Sequence, residues 1–343
     1  MSSPTSPSLC NMADLVIEKI MENSDWKSVL TLRQVCQRLR YQVDHASESS
    51  LPDSKLTLLT IFVRSDRIQI KFQVQFAYFF IHQKFDQMSY VLQKNGRFLR
   101  QYNQGERVEF ENEHLLDMAT NDLGRILKFQ KSALARFELS FDNDMNQVFQ
   151  PFPEVFTEIL KSGNQIIKTE KLDVFGYQSK HFLCMLSFVD PECLKCIGFR
   201  SLDKTFIDFD LGEIVRSYPW ITAKQVDCYI SCTVPLELIA QFSKLNLNNG
   251  HSYTAQEMDY LKTAFCKSSN FISFNAYNRS NFPSIEEQVV LWGQSNFGRP
   301  GTSWYFRMTN CDEILMVQYY GSQIWINRTN LAQVPQEAEI RDN

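Results

Sequence analysis

The side chains able to do chemistry are few and scattered in this chain of 343 residues. Two cysteine pairs, Cys193/Cys196 and Cys228/Cys232, have spacings at which thiolates can share a zinc ion. No histidine lies near either pair, and Cys228 falls on an inward position of an apolar alternation, so both are read as core or surface thiols. The five histidines, His45, His82, His114, His181 and His251, show neither metal-ligand nor triad spacing. No glycine pattern forms a nucleophile elbow or cradles phosphate, and the twelve glycines are dispersed. Acidic residues such as Asp203, Asp208 and Asp210 read as solvated turns or strand faces. The expectation is a non-enzyme with no metal and no cofactor.

Composition bounds the remaining classes. Net charge is −4, against the basic field that general nucleic-acid binding requires. No stretch approaches the eighteen apolar residues of a membrane span, and the polar start MSSPTSPSL lacks the apolar core of a signal peptide. Nine cysteines, an odd number, fit reduced thiols in the cytoplasm or nucleus. The sequons at Asn278 and Asn327 are then idle. Twenty-seven phenylalanines indicate a large aromatic core.

The elements follow from periodicity. After a disordered tail (1–10), residues 11–45 predict three short helices. Met12, Val16 and Ile20 recur at helical spacing, with Ile17 and Met21 widening the stripe. Asn23, Ser24 and Asp25 offer caps for a helix from Trp26 to Leu32. A third helix carries Leu32, Val35, Cys36, Leu39 and Val43 on one side and Arg33, Arg38 and Arg40 on the other. So small a unit needs a partner surface to be stable, since neither metal nor disulfide spacing is present.

A linker (46–55) leads to antiparallel strands (56–110), where Ile68, Ile70, Phe72, Val74 and Phe76 alternate with Arg67, Gln69, Lys71, Gln73 and Gln75. Ser65-Asp66 and Asn95-Gly96 mark hairpin turns. Residues 111–300 alternate helix and strand. Four segments share an apolar-x-x-apolar-x-apolar pattern: Leu134/Phe137/Leu139, Thr169/Leu172/Val174, Leu194/Ile197/Phe199 and Ala223/Val226/Cys228. Their offsets are 35, 25 and 29 residues, and Phe271/Phe274/Ala276 follows at a longer one. Helices are expected at 115–130, 152–160, 179–188, 211–218 and 254–267. This α/β pattern predicts a strand–helix repeat, either a leucine-rich-repeat-like arc or a generic sheet with crossover helices. Residues 301–330 add capping strands, with Gly321-Ser322 turning the last hairpin, and 331–343 a polar tail.

Two stretches resemble known families. The order Ile17 and Ile20, an acidic turn at Asp25, Ser28-Val29-Leu30, and Leu32-Arg33-Gln34-Val35-Cys36-Gln37-Arg38-Leu39-Arg40 resembles an F-box, with Met12-Ala13 where most F-boxes have Leu-Pro. Residues of about 152–292 resemble the FTH domain of nematode F-box A proteins. They carry Glu170-Lys171-Leu172-Asp173-Val174, then Phe188-Val189-Asp190-Pro191-Glu192-Cys193-Leu194, then Ile214-Val215 with Trp220-Ile221-Thr222-Ala223-Lys224. Pro219 and Ile221 flank this Trp where the family has Gln and Lys.

The resemblance implies a substrate-recognition subunit of a Skp–cullin–F-box ubiquitin ligase. Its F-box would dock on the Skp adaptor, and through it a cullin, while the FTH-like region would hold a target protein. The residues implied for adaptor docking are Ile17, Ile20, Val29, Leu30, Leu32, Val35 and Leu39. The alternative is a scaffold or inhibitor that binds the adaptor without ubiquitin transfer. Trp220 is read as a packing anchor, and the concave strand side or strand edges as the target surface.

Overall fold

The computed structural model describes residues 9–74, 86–93, 98–103, 105, 107–110, 115–142, 149–176, 178–200, 211–230, 235–248, 253–277, 285–298, 301–309, 311–320 and 323–342. His82, Asn95-Gly96, His114, Asp203, Asp208, Asp210, Cys232, His251, Asn278 and Gly321-Ser322, all singled out in the sequence, lie outside these residues. So do Gln75 and Phe76 of the predicted alternation and the tail up to residue 8.

Three helices open the chain: α1 (Asp14–Glu22), α2 (Trp26–Val35) and α3 (Gln37–His45). Asp25 caps α2, its carboxylate accepting from the N–H groups of Lys27 (2.9 Å) and Ser28 (3.0 Å). Periodicity starts the third helix near Leu32. Instead α2 runs on to Val35, and the break comes at Cys36, whose φ of −157° and ψ of 167° are fully extended. Leu32 and Val35 therefore belong to α2.

Strands follow as β1 (Leu56–Val63), β2 (Arg67–Val74), β3 (Asp86–Leu92), β4 (Phe98–Tyr102) and β5 (Arg107–Phe110). Then α4 (Leu115–Lys128), β6 (Arg136–Phe141), α5 (Phe152–Ser162), β7 (Lys171–Phe175), α6 (Ser179–Leu186) and β8 (Cys196–Arg200) alternate. The alternation continues through α7 (Tyr218–Thr222), β9 (Gln225–Cys228), α8 (Leu236–Ile239), β10 (Lys244–Asn248), α9 (Ala255–Lys267), β11 (Ser273–Tyr277) and α10 (Ile285–Trp292). It closes with β12 (Asn296–Gly298), β13 (Gly301–Arg307), β14 (Glu313–Tyr320), β15 (Gln323–Asn330) and β16 (Ile340–Arg341).

All sixteen described strands join one sheet. Its order is β12-β13-β14-β15-β11-β10-β9-β8-β7-β6-β1-β2-β3-β4-β5, with β16 on β13. The centre, β6 to β11, is parallel and in sequence order, and β1 extends it because β1 pairs parallel with β6. Antiparallel strands flank both ends. This is a mixed α/β fold: N-terminal helices followed by one large sheet.

The repeat has one more member than periodicity alone brought out. Between Ala223/Val226/Cys228 and Phe271/Phe274/Ala276 lies Phe242/Leu245/Leu247, which has the same pattern and feeds β10. The apparently long last offset is two ordinary steps, of 19 and 29 residues. Leu56/Leu59/Ile61 at β1 also fits, separated from Leu134 by the hairpins. The backbone repeats too. Glu170 O accepts the N–H groups of Lys195 and Cys196, and Lys195 O those of Lys224 and Gln225. Lys224 O then accepts those of Ser243 and Lys244, and Ser243 O those of Ile272 and Ser273, all at 2.8–3.2 Å.

Helices cover one face. Phe152 meets Phe141, Phe182 meets Phe199, and Phe265 meets Phe274, with ring centroids 4.9–6.3 Å apart. Trp220 is 1% exposed and wedged between Phe199 (5.7 Å) and Phe242 (5.2 Å), the packing role expected of it. The helix expected over 211–218 is instead a short 3₁₀ turn (Ile214–Arg216) followed by α7. Pro219 explains the shift, since proline suits a first helical turn and breaks a helix interior. The expected polar tail also contributes structure. β16 pairs with β13, and Arg341 donates to the carbonyls of Trp292 and Gln294.

Candidate functional site

The N-terminal helices pack on the sheet rather than standing apart. Trp26 sits edge-on to Phe72 of β2 (5.6 Å) and tilted to Phe129 after α4 (6.3 Å). Lys27 pairs with Asp86 of β3, and Lys128 Nζ donates to Asp44 O at 2.8 Å. Within the unit, Arg33 forks onto Asp44 (2.6 and 3.0 Å), closing α2 against α3.

This packing sorts the seven docking candidates. Ile17, Val29 and Leu39 are at most 1% exposed, so their side chains serve the internal core. Ile20, Leu30 and Leu32 are half-buried, and Val35 is 56% exposed at the end of α2. The structure adds Leu15 (68%), Val16 (44%) and Tyr41 (59%) as exposed apolar side chains that the F-box resemblance did not single out for docking. Helical spacing puts Val16 on the apolar stripe of α1, yet the face turned inward is that of Ile17 and Met21. Ala13 holds φ −62° and ψ 149°, values a proline adopts without strain.

The second surface is the face of the sheet opposite the helices. Strand register lines up Thr60, Glu138, Asp173, Gly198, Asp227, Asn246, Asn275 and Trp325 in one lateral row from β1 to β15. Each of the six from Glu138 to Asn275 immediately follows the central apolar residue of a repeat segment. That adjacency is the sequence signal for the row, and apolar periodicity alone passes over it.

The row is wired by hydrogen bonds. Arg136 Nε donates to Asp173 Oδ2 at 2.6 Å, and Lys171 Nζ to Asp227 Oδ2 at 2.7 Å. Asp227 Oδ1 accepts from Asn246 Nδ2 (2.8 Å) and Gln225 Nε2 (3.0 Å), and Asn275 Nδ2 continues to Asn246 Oδ1 (2.9 Å). Asp173 Oδ1 accepts no hydrogen bond among the described residues, while Lys171 Nζ and Arg200 Nε each stand 3.8 Å away. The Arg200 guanidinium lies over Tyr229 at 4.8 Å. Gly198 is required here: a Cβ on it would stand 1.8 Å from Asp173 Oδ1.

Burial and hydrogen bonding set the charge states along this face. Burial would raise the Asp227 carboxyl, but hydrogen bonds from Lys171, Asn246 and Gln225 outweigh it and hold it below its usual value. Burial and then the Asp227 charge push the Cys196 thiol up to about 12, so it stays protonated and non-nucleophilic at neutral pH. Burial also raises Glu138. The Cys193 thiol turns to Asp190 Oδ2 (3.3 Å) and that of Cys196 to Asp227 Oδ2 (3.6 Å), so the two do not converge on one point. Among the described residues no three His, Cys, Asp or Glu side chains group as metal ligands. His181 is 1% exposed and stacks on Phe141 at 4.2 Å, while exposed His45 stacks on Tyr41 at 4.0 Å. Among the described residues, no helix is long and apolar enough to cross a membrane.

No curated protein and no solved structure matches this chain. A family model does: residues 150–291 match the FTH domain. The matched stretch runs from α5 to α10 and takes in the parallel strands β7 to β11, so the lateral row from Asp173 to Asn275 lies inside the FTH match.

Proposed function

We propose that this chain is a non-catalytic substrate receptor of a Skp–cullin–F-box ubiquitin ligase. The observation carrying this reading is the FTH match at 150–291, standing behind an N-terminal three-helix unit with the feature order of an F-box. FTH domains accompany F-boxes in the nematode F-box A proteins that both stretches resemble. The helical unit docks on the Skp adaptor through the apolar side chains it leaves accessible, Ile20, Leu30, Leu32 and Val35, together with the exposed Leu15 and Val16 of α1. Ile17, Val29 and Leu39 shape that surface from beneath.

Target binding falls to the half-buried face of the strand–helix repeat, read as the inner side of a leucine-rich-repeat-like arc. Its side-chain donors and acceptors suit a polar protein surface. The chain itself transfers nothing; it raises the effective concentration of a target lysine near the ubiquitin-carrying enzyme.

Co-purification of the full chain with a Skp adaptor tests the reading. Wild type is expected to retain the adaptor. Val35→Glu should weaken it by about 30-fold or more, the effect of a charge replacing an apolar contact buried on docking, with unchanged thermal unfolding. An adaptor that ignores wild type, or binds a Leu15→Glu/Val35→Glu double variant equally well, overturns docking. Adaptor capture without F-box-dependent turnover of any target would identify a scaffold or inhibitor instead.

A further inference from the structure

The side chains of Cys10 and Cys36 meet although 26 residues separate them, with Sγ–Sγ 3.2 Å. Both cysteines are partly exposed. An independent contact holds them together. Arg38, in the first turn of α3, donates Nη1 to Cys10 O and Nη2 to Met12 O, each at 2.7 Å, and pairs with Asp14. The segment carrying Cys10 is thus clamped over the α2–α3 break. Cys36 is the residue that opens the nine-residue helix α3.

We propose that Cys10 and Cys36 form a reversible thiol–disulfide switch that exchanges with low-molecular-weight disulfides of the glutathione class. The Cys36 thiolate attacks one sulfur of the small disulfide, whose S–S bond breaks. A mixed disulfide forms on Cys36 and one small thiolate leaves. Cys10, its proton passing to solvent, then attacks the Cys36 sulfur, and the second small thiolate leaves as the Cys10–Cys36 bond forms. Two protein thiols are oxidised, one small disulfide is reduced to two thiols, and the two protein protons end on those thiols.

Cys36 is the attacking thiol for a physical reason. The Leu39 N–H and then the Cys10 thiol hold it below the ordinary thiol range, as expected at a helix N-terminus. Cys193 is the internal contrast, raised by burial and by Asp190. The proposal does not depend on adaptor docking.

The test equilibrates the full chain across reduced-to-oxidised glutathione ratios, then quenches with acid, alkylates and maps by mass spectrometry after trypsin. The expected product joins the fragments holding Cys10 and Cys36 and is two hydrogens lighter, while Cys193 stays alkylated. Cys36→Ser should abolish the product, and Cys10→Ser should stop at glutathione on Cys36. Native alkylation of Cys36 near pH 7 should run about 10-fold faster than that of Cys193. The switch is overturned if wild type shows no linked fragment at the oxidising end, or if Cys36 in the Cys10→Ser protein is capped no more readily than Cys193. The wild-type map decides without any variant, so a substitution that misfolds does not alter the outcome.

Discussion

The two faces of the central sheet differ by a single residue step and share almost no chemistry. On one, Leu59, Phe137, Leu172, Ile197, Val226, Leu245, Phe274 and Ile326 stand side by side, each at most 2% exposed under the helices. On the other, the next residue of β6 to β11 is Glu138, Asp173, Gly198, Asp227, Asn246 or Asn275. Parallel strands packed under apolar layers on both faces carry continuous apolar runs, and this alternation departs from that pattern. The strand period of two therefore separates what holds the fold from what it can present.

The sharpest way to break that contrast is to remove packing from the apolar row. Ile197→Ala should cost about 2–5 kcal/mol in chemical denaturation, because a closed site between Leu172 and Val226 cannot refill the cavity. A loss under about 1 kcal/mol would mean the helical layer is looser than its aromatic contacts indicate. One residue along, Gly198→Ala should cost about 1–3 kcal/mol for another reason, the displacement of a buried carboxylate by the new methyl group. Pairing it with Asp173→Asn in a double-mutant cycle should show coupling, whereas simple additivity would exclude the close contact.

Asp227→Asn should cost about 1–2 kcal/mol at pH 7, since it removes the charge that Lys171 meets. The folded carboxyl titrates below its ordinary 3.8, so its contribution is complete above that value and disappears as pH falls through the lower folded one. Stability curves of wild type and variant should converge in that acid range, and parallel curves would contradict the ion pair.

Smaller effects belong to exposed or preset positions. Ala13→Pro, placed where φ is already −62°, should stabilise the helical unit by about 0.4–1 kcal/mol by restricting the unfolded chain. Destabilisation there would show that the entry into α1 differs from the one described. Lys244→Ala, exposed at the start of β10, should change stability by less than about 0.5 kcal/mol, setting the floor against which the buried members of the polar face are judged.

Much of this contrast was legible. The alternation in Arg67–Val74, the hairpin of β1 and β2, and the helices α4, α5 and α9 followed from period and turn chemistry, because each is set by residues near in sequence. Five of the parallel strands announced themselves by one pattern. The strand β10 escaped although Phe242/Leu245/Leu247 repeats it, because α8 before it has only four residues and leaves no helical period to mark the unit. Proline and extended backbone moved two helix boundaries, at Pro219 and at Cys36.

What the chain's order of residues determined alone is the existence of an N-terminal helical unit and a repeated strand–helix module. Only tertiary structure decided which side of each element matters. The F-box resemblance implied Ile17, Val29 and Leu39 as docking contacts, and these pack into the unit's own core, leaving Val35 outside. The joining of Asp173 to Arg136, and of Asp227 to Lys171 and Asn246, depends on lateral register between residues 19 to 56 positions apart. No local pattern encodes that register; it is set when the apolar rows on the opposite face lock together.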